Sequence, residues 1–409
     1  MCAITHTQSV TRKKRDKKMK QAGLILNRIN TGFIAVLVGF TSTVALIYQA
    51  AINLGGDIQM VSSWLLALGL GMGITSIGLS LYYRVPILIA WSTPGAALLI
   101  SSTQGFTIHQ ATGAFLFSAA LITLSGITGW FEKTMNRVPL PLANAMLAGI
   151  LINFGINTFN LMDQQITLVS SMLLTYLVCK HLFPRYTMLA VLLIGFATAW
   201  LLTLIELPPE LSWQISRLHY IQPEWSIAAF ISIGLPLFVV TMASQNIPGI
   251  AVLKAHGYQA PVSSTMTVTG AANLLIAPFG GFGINLAAIT AAICMTENAD
   301  PVSKQRYWTS VAAGVFYILM GLGAVTLMTL FDALPTALIL ALAGIALFST
   351  IGNSLQLALH DVRYREAALI TFMVTASNLE VWNIGSPLWG VVAGGITLLI
   401  QHRLQPAHQ

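Results

Sequence analysis

Long apolar stretches separated by short polar ones run from about residue 32 to residue 403 of this chain. Most of them are about 15 to 25 residues long, which is the length that a helix needs to cross the hydrocarbon core of a bilayer. Cytoplasmic loops of such proteins collect Lys and Arg, so the cations can be used to assign a side to each loop. We therefore predict an all-α polytopic membrane protein with about fourteen transmembrane segments.

The cations support this count. Of the 20 Lys and Arg residues, only Arg217 falls on the outer side when the basic N-terminal tail is placed in the cytoplasm. An odd number of spans in each half turns the halves into two inverted repeats, as in many secondary transporters. Twelve full helices with two re-entrant segments would fit almost as well. The predicted division is a basic cytoplasmic tail (1–31), a first repeat of seven spans (32–206), an extracytoplasmic loop (207–225), a second repeat of seven spans (226–403) and a C-terminal tail (404–409), with both termini cytoplasmic.

Composition excludes several classes of protein. The formal net charge of +7 does not indicate a nucleic-acid partner, because seven cations lie in the tail between residues 12 and 20. We expect this tail to be disordered and to fix the topology, with binding to anionic lipid headgroups as the alternative. Neither a CxxC nor an HExxH motif occurs, and only 8% of the residues are charged. We therefore expect no cofactor, no metal and no enzymatic activity.

The third span of each half is predicted to be broken. In the first half, Pro94 favours an extended segment before it and a helix after it, with Ser92 and Thr93 as N-caps. That helix has about 10 residues, hence about 15 Å, which is half of a hydrocarbon core. In the second half a glycine run precedes Asn285, the predicted cap of a short helix that ends near Met295.

These two short helices enter from opposite sides, so their N-termini are expected to meet near the membrane midplane. Unpaired N–H groups and the helix dipole would then form an anion site without Lys or Arg. In the second span, Gly69, Gly73 and Gly78 are expected to let neighbouring helices pack closely.

At these segments the chain resembles the benzoate membrane transport (BenE) family. The resemblance is carried by YRVP at residues 83–86, AWSTPGAALL at 90–99, TMASQNIPGI at 241–250 and AAITAAIC at 287–294. It covers the whole membrane region and implies a proton-coupled benzoate carrier, distantly similar to uracil/xanthine permeases and sulfate-type anion exchangers. That similarity implies a core domain of spans one to four and eight to eleven, and a gate domain of the remaining spans.

The predicted substrate site combines the broken segments with polar residues of the first and eighth spans. Gln49 matches a substrate-facing Gln of the nucleobase permeases, whereas Gln245 and Asn246 replace their Glu-His pair. Amides donate hydrogen bonds to an anion, which a carboxylate would repel. The candidate residues are Tyr48, Gln49, Trp91, Ser92, Thr93, Pro94, Gly95, Ser244, Gln245, Asn246, Asn285, Leu286 and Ala287.

The function that follows is secondary active transport across a bacterial-type inner membrane, with proton symport of benzoate by alternating access. The proton is assigned to Glu297, to Glu380 or to the carboxyl group of the substrate, and the sequence does not choose among them. The expected partners are a small aromatic acid, a proton and membrane lipid, and self-association into a homo-oligomer stays open. The alternatives are a carrier of another organic anion or of a neutral heterocycle such as a nucleobase, and then a membrane-embedded enzyme or a receptor without transport.

Overall fold

The computed structural model describes residues 2–102, 105–130, 140–205, 213–259, 261–381 and 385–404. Helices dominate the described part, together with two strands of three residues. The helices are α1 (Cys2–Asn53), α2 (Ile58–Tyr83), α3 (Thr93–Ser102), α4 (Ile108–Thr128), α5 (Leu140–Asn160), α6 (Met162–Leu182), α7 (Thr187–Leu201), α8 (Ile227–Ala255), α9 (Val262–Ile276), α10 (Ile289–Cys294), α11 (Tyr307–Leu322), α12 (Ala324–Asp332), α13 (Thr336–Leu359), α14 (Arg365–Ala376) and α15 (Ser386–Leu404). The strands are β1 (Ile89–Trp91) and β2 (Ile284–Leu286).

Six of the described helices are long and apolar enough to cross a membrane: α1 from Gly23 onward, α2, α4, α5, α8 and α13. The segment Ser303–Leu322 and helix α12, which meet at a bend of 62°, count as a seventh if they form one span. The predicted fourteen crossings and the inverted repeats are therefore not confirmed. Each predicted segment does contain a helix, but several helices, such as Thr187–Leu201, are shorter than a bilayer needs.

The basic tail differs from its prediction. The structure continues helix α1 back to Cys2, so residues 2–31 are helical instead of disordered. Residues 2–22 contain neither Gly nor Pro and are rich in Lys, Arg and Gln, which favour helix. The tail is thus an extension of the first membrane helix.

The expectation of an all-α fold also needs a correction. Strands β1 and β2 form an antiparallel pair in which Ala90 lies opposite Asn285 and Trp91 lies opposite Ile284. Extended backbone inside a membrane protein must satisfy its polar groups within the protein, and pairing the two broken segments does so. Gly280 leads into β2 with a positive φ of 90°, and a Cβ there would overlap the indole ring of Trp64.

The helices pack in two groups. In the first group α2 packs on α11, α4 on α9, and α1 on both α10 and α11. In the second group α5 packs on α13 and α14, α14 on α15, and α6 on α7. We call the first group the core and the second group the gate, after the division that the resemblance implies for these spans. They meet where α1 contacts α7 and α13, and where α5 contacts α3 and α8.

The glycines of α2 fit their prediction in part. A Cβ on Gly69 would lie 2.6 Å from the carbonyl of Tyr317, and one on Gly73 would lie 2.5 Å from that of Gly314. Both glycines therefore allow α2 to approach α11 closely. A Cβ on Gly78 would have no neighbour within 4 Å, so the expected role of this glycine in packing is wrong.

Candidate binding site

Asparagine side chains cover the outer edge of strand β2. The N–H of Leu286 donates to Asn246 Oδ1 at 3.0 Å, and the N–H of Ile284 donates to Asn273 Oδ1 at 2.7 Å. Asn273 Nδ2 returns a bond of 2.9 Å to the carbonyl of Ile284. Both asparagines are buried, so they replace the neighbouring strand that an edge strand lacks. Sequence reasoning missed Asn273, whose signal is a lone amide in the apolar helix α9.

Serines of helix α2 cover the outer edge of β1 in the same way. Ser76 Oγ accepts the N–H of Ile89 at 2.9 Å, and the hydroxyl of Ser80 donates to the carbonyl of Ile87 at 2.8 Å. The small sheet is therefore fixed from both sides by helices of the core. Because β1 precedes α3 and β2 precedes α10, the sheet holds the starts of these two helices next to each other.

The hydrogen bonds at the two ends of the β1–β2 pair use N–H groups that were expected to bind substrate. The N–H of Ser92 donates to the carbonyl of Gly283 at 3.0 Å, and the N–H of Ala287 donates to that of Leu88 at 2.9 Å. Because the N–H of Leu286 is also taken, the segment from residue 285 to residue 287 serves the sheet and does not present a row of free donors.

Ser92 caps the start of α3 as predicted, whereas Thr93, the other predicted cap, is the first residue of this helix. Ser92 Oγ accepts the N–H of Gly95 at 3.0 Å, and Pro94 has no N–H. At this helix start, the N–H of Thr93 is therefore the donor that has no partner among the described residues. Helix α10 begins at Ile289 without a side-chain cap, so Asn285 as its cap is wrong. Asn285 lies inside β2, where its side chain can accept from the N–H of Ser92 and donate to the carbonyl of Leu286.

Trp91 is packed inside the core. Its indole N–H donates to Thr43 Oγ1 on α1, and its ring lies 5.9 Å from that of Phe40 and 6.5 Å from that of Tyr317, measured between centroids. The void beside these rings has about 10 Å³, which is room for one water at most. Trp91 therefore fixes the start of α3 against α1 and α11.

The predicted residues of the eighth span lie on a widened turn of α8. The N–H of Ile247 donates to the carbonyl of Met242, five residues back, directly before Pro248. Such π-turns often occur at functional sites. The hydroxyl of Ser244 donates to the carbonyl of Val240 at 2.6 Å, and Gln245 is half-buried on the same turn. Asn246 bonds to strand β2 and Ser244 bonds to its own helix. Among these three residues, Gln245 is therefore the one whose side chain makes neither kind of hydrogen bond.

Gln49 lies apart from this cluster, on the wall of a cavity between the core and the gate. The cavity has a volume of about 550 Å³ and lies near the C-terminal ends of α1 and α3. The neighbouring Tyr48 points elsewhere, because its hydroxyl donates to Asp332 Oδ1 of α12 at 2.6 Å. The cavity is lined by Gln49, Ile100, Ser101, Ser102, Phe106, Ile150, Asn153, Phe154, Ile156, Asn157, Asn160, Leu340, Asn378, Glu380, Gly385 and Ser386.

Amide side chains dominate the polar part of this wall. Asn153, Asn157 and Asn160 of α5 recur at helical spacing on one face, a pattern that sequence reasoning missed. Asn153 Nδ2 also donates to the carbonyl of Ala376 at 3.2 Å, which ties α5 to the end of α14. An amide-lined cavity of this size can surround a small carboxylate and donate several hydrogen bonds to it.

The structure separates the two acids that were proposed for proton coupling. Glu380 is exposed and lies on the cavity wall. Glu297 is exposed in the loop after α10, away from the cavity.

Known proteins are similar to this chain in sequence. The family described as "Benzoate membrane transport protein" matches residues 24–400. The inner membrane protein YdcO of Escherichia coli is 47% identical over 374 residues, which are 90% of this chain and 94% of that protein. The benzoate membrane transport protein of Acinetobacter baylyi is 37% identical over 369 residues, covering 90% of this chain and 93% of that protein.

Two solved structures share the fold at low sequence identity. The transmembrane domain of the cyanobacterial bicarbonate transporter BicA has a TM-score of 0.61 at 12% identity, covering 91% of this chain and 97% of that chain. SLC26A9 has a TM-score of 0.61 at 13% identity, covering 93% of this chain and 66% of that chain. This likeness concerns the fold alone.

Fold and relatives together define a membrane transport protein, not an enzyme, that passes several times through the bacterial inner membrane. The chain belongs to the benzoate membrane transport protein family.

Proposed function

We propose that this chain is a secondary active transporter that carries a small aromatic carboxylate, with benzoate as the first candidate, together with a proton. The observation that carries the proposal is the amide-lined cavity between the core and the gate, beside the half-helix α3. A relative movement of the two groups would open and close this cavity, which is the basis of alternating access.

The wall of the cavity suits both parts of such a substrate. Gln49, Asn157 and Asn160 offer amide N–H groups to the carboxylate. Asn153 holds the wall in place instead, because its Nδ2 donates to Ala376 and Asn378. Phe106, Phe154 and Ile150 offer apolar surface to an aromatic ring. A volume of about 550 Å³ lies within the range of about 300–1,000 Å³ that is usual for small-molecule sites.

The paired broken segments supply the rigid side of the transport path in this proposal. Thr93 at the start of α3 and Gln245 on the widened turn of α8 are the inner contacts that a substrate would reach as the gate moves. The N–H of Thr93 and the amide of Gln245 are donors at that depth, where the helix dipole of α3 also favours an anion.

The topology that we propose keeps the fourteen crossings, two inverted repeats and cytoplasmic termini. Gln49 lies near the C-terminal end of α1, opposite the basic tail. With the tail in the cytoplasm, as its cations favour, the cavity opens toward the extracytoplasmic side.

Uptake of labelled benzoate into liposomes that contain the purified protein tests this function. With an acidic exterior, we expect protein-dependent accumulation that a protonophore abolishes. Protein-free liposomes are the control, because protonated benzoic acid crosses lipid unaided. Folded protein that gives no uptake above this leak would remove benzoate as the substrate. Competition by other aromatic acids, bicarbonate and uracil, measured in the same vesicles, separates the aromatic-acid carrier from a carrier of other anions or heterocycles.

A further inference from the structure

The chain returns to the cavity immediately after helix α14. Asn378 adopts a left-handed conformation with φ of 54°, which Asn tolerates and which ends many helices. This turn brings Asn378 against Asn153 of α5, with Asn153 Nδ2 at 3.4 Å from Asn378 Oδ1. Two residues further, Glu380 lies on the wall of the cavity that residues of α1 and α3 also line.

Within the described wall of the cavity, Glu380 is the charged side chain. The groups that face the cavity with it do not titrate in the physiological range: Gln49 from α1, Ser101 and Ser102 from α3, and the asparagines of α5. The residues at 103–104 and 382–384, which adjoin the wall in sequence, are neither acids nor bases. A carboxylate that enters here therefore meets one negative charge and no compensating cation on the described wall.

Other described acids of the core do not line the cavity. Asp332 accepts the hydroxyl of Tyr48, on the face of α1 next to Gln49. Asp300 pairs with Arg28 at 2.6 Å. Glu297 is exposed and does not line the cavity. Of the acids that the sequence left open, Glu380 is the one that shares a cavity with the candidate substrate-binding amides.

We propose that Glu380 carries the coupled proton, so that the substrate carboxylate binds beside the neutral carboxylic acid form of this side chain. This inference rests on the proposed function and deepens it. Two carboxylates in one small cavity repel each other, so a bound anion favours protonation of Glu380, and protonation favours binding of the anion. The linkage is reciprocal, and it makes the proton and the anion enter and leave together. The proton comes from water on the side to which the cavity opens and returns to water on the other side.

Glu380→Gln tests the proposal, because it fixes this position in a neutral form of nearly the same shape. Two measurements on the same proteoliposomes are compared: accumulation of benzoate driven by a pH gradient, and exchange of internal for external benzoate without a gradient. In E380Q we expect accumulation to fall about tenfold while exchange persists, since coupling energies usually correspond to about 5- to 150-fold effects. Wild-type exchange should decline as the pH rises, because the proposal requires the neutral form of Glu380, whereas exchange by E380Q should not decline in this way.

Glu297→Gln is the matched control, because it removes the same charge from an exposed site outside the cavity. We expect E297Q to accumulate and exchange benzoate as the wild type does, and Glu380→Asp, which keeps a titratable group, to accumulate part of the wild-type amount. If E380Q accumulates benzoate as well as the wild type, the proposal is overturned and the proton travels elsewhere, for example on the substrate. If the wild type itself neither exchanges nor accumulates benzoate, the proposed function fails and this proposal falls with it.

Discussion

The side chain of Arg28 binds the carboxylate of Asp300 across 272 positions of sequence, with Nε and Nη2 both 2.6 Å from Oδ2. Asp300 is fully buried, and its Oδ1 accepts the N–H of Val302 at 2.7 Å. Arg306 completes the cluster by donating to the carbonyls of Asp300 and Met295, at 2.8 Å and 2.6 Å. Met295 directly follows α10, so this cluster ties the C-terminal end of a six-residue helix to α1 and α11.

Asp300→Asn removes one charge of this pair and leaves Arg28 without a counterion in a largely buried site. Breaking a buried pair by removing one partner usually costs about 3–5 kcal/mol, and we expect the low end because Arg28 remains 19% exposed. The thermal unfolding midpoint of the detergent-purified protein should fall clearly. Glu297→Gln, which neutralises an exposed acid in the same loop, should leave the midpoint unchanged. Equal midpoints for the two variants would show that the ion pair contributes little.

Asn246→Ala tests the edge of the small sheet. The change leaves the buried N–H of Leu286 without its acceptor, which costs about 1–3 kcal/mol. We expect a lower unfolding midpoint and a lower maximal transport rate.

Gln245→Ala changes the adjacent amide, which is half-buried and belongs to the proposed inner contacts. Gln245→Ala should keep the unfolding midpoint and weaken substrate affinity. A lower midpoint for Gln245→Ala together with an unchanged midpoint for Asn246→Ala would contradict the roles given to the two residues.

Local chemistry made part of this architecture predictable. Pro94, with Ser92 before it, specifies an extended segment followed by a capped helix, and both were predicted. The pairing of β1 with β2 was not, because three-residue strands carry no periodic signal and their partners lie in different halves of the chain. For this reason the sequence predicts Asn285 as a helix cap, whereas in the structure Asn285 lies in β2 and pairs with Ala90 of β1.

The cavity was missed for a different reason. It forms only when the ends of α1, α3, α5 and α14 come together, and no single segment contains it. Gln49 was found because it is a lone amide in an apolar run. The helical spacing of Asn153, Asn157 and Asn160 is visible in the sequence and places them on one face of α5. The sequence does not show that this face lines a cavity, because that depends on which helices pack against it.

Gln49→Ala probes the cavity directly. Removing one amide from the wall should raise the apparent KM for benzoate about 5- to 10-fold, the equivalent of one hydrogen bond of about 1 kcal/mol or slightly more. Tyr48→Phe is the control on the adjacent position of α1, since its hydroxyl bonds Asp332 outside the cavity. It should leave KM unchanged. Initial rates of uptake over a range of benzoate concentrations measure both variants. An unchanged KM in Q49A would exclude this residue from the site.

Gly73 and Gly78 provide a matched pair within one helix for testing how the core is packed. A Cβ on Gly73 would lie 2.5 Å from the carbonyl of Gly314 and 2.5 Å from Ile318 Cγ1, whereas one on Gly78 would meet nothing within 4 Å. Gly73→Ala must therefore push α2 away from α11, and overpacking of this kind costs about 1–3 kcal/mol.

Gly78→Ala should be neutral or stabilising, because replacing Gly by Ala inside a helix gains about 0.5–1 kcal/mol when the space is free. Unfolding midpoints of the two variants in the same detergent provide the comparison, and we expect a decrease for Gly73→Ala alone. Because α2 also holds β1 through Ser76, the same variant should slow benzoate uptake. If both alanines shift the midpoint equally, the close approach of α2 to α11 does not determine the stability of the core.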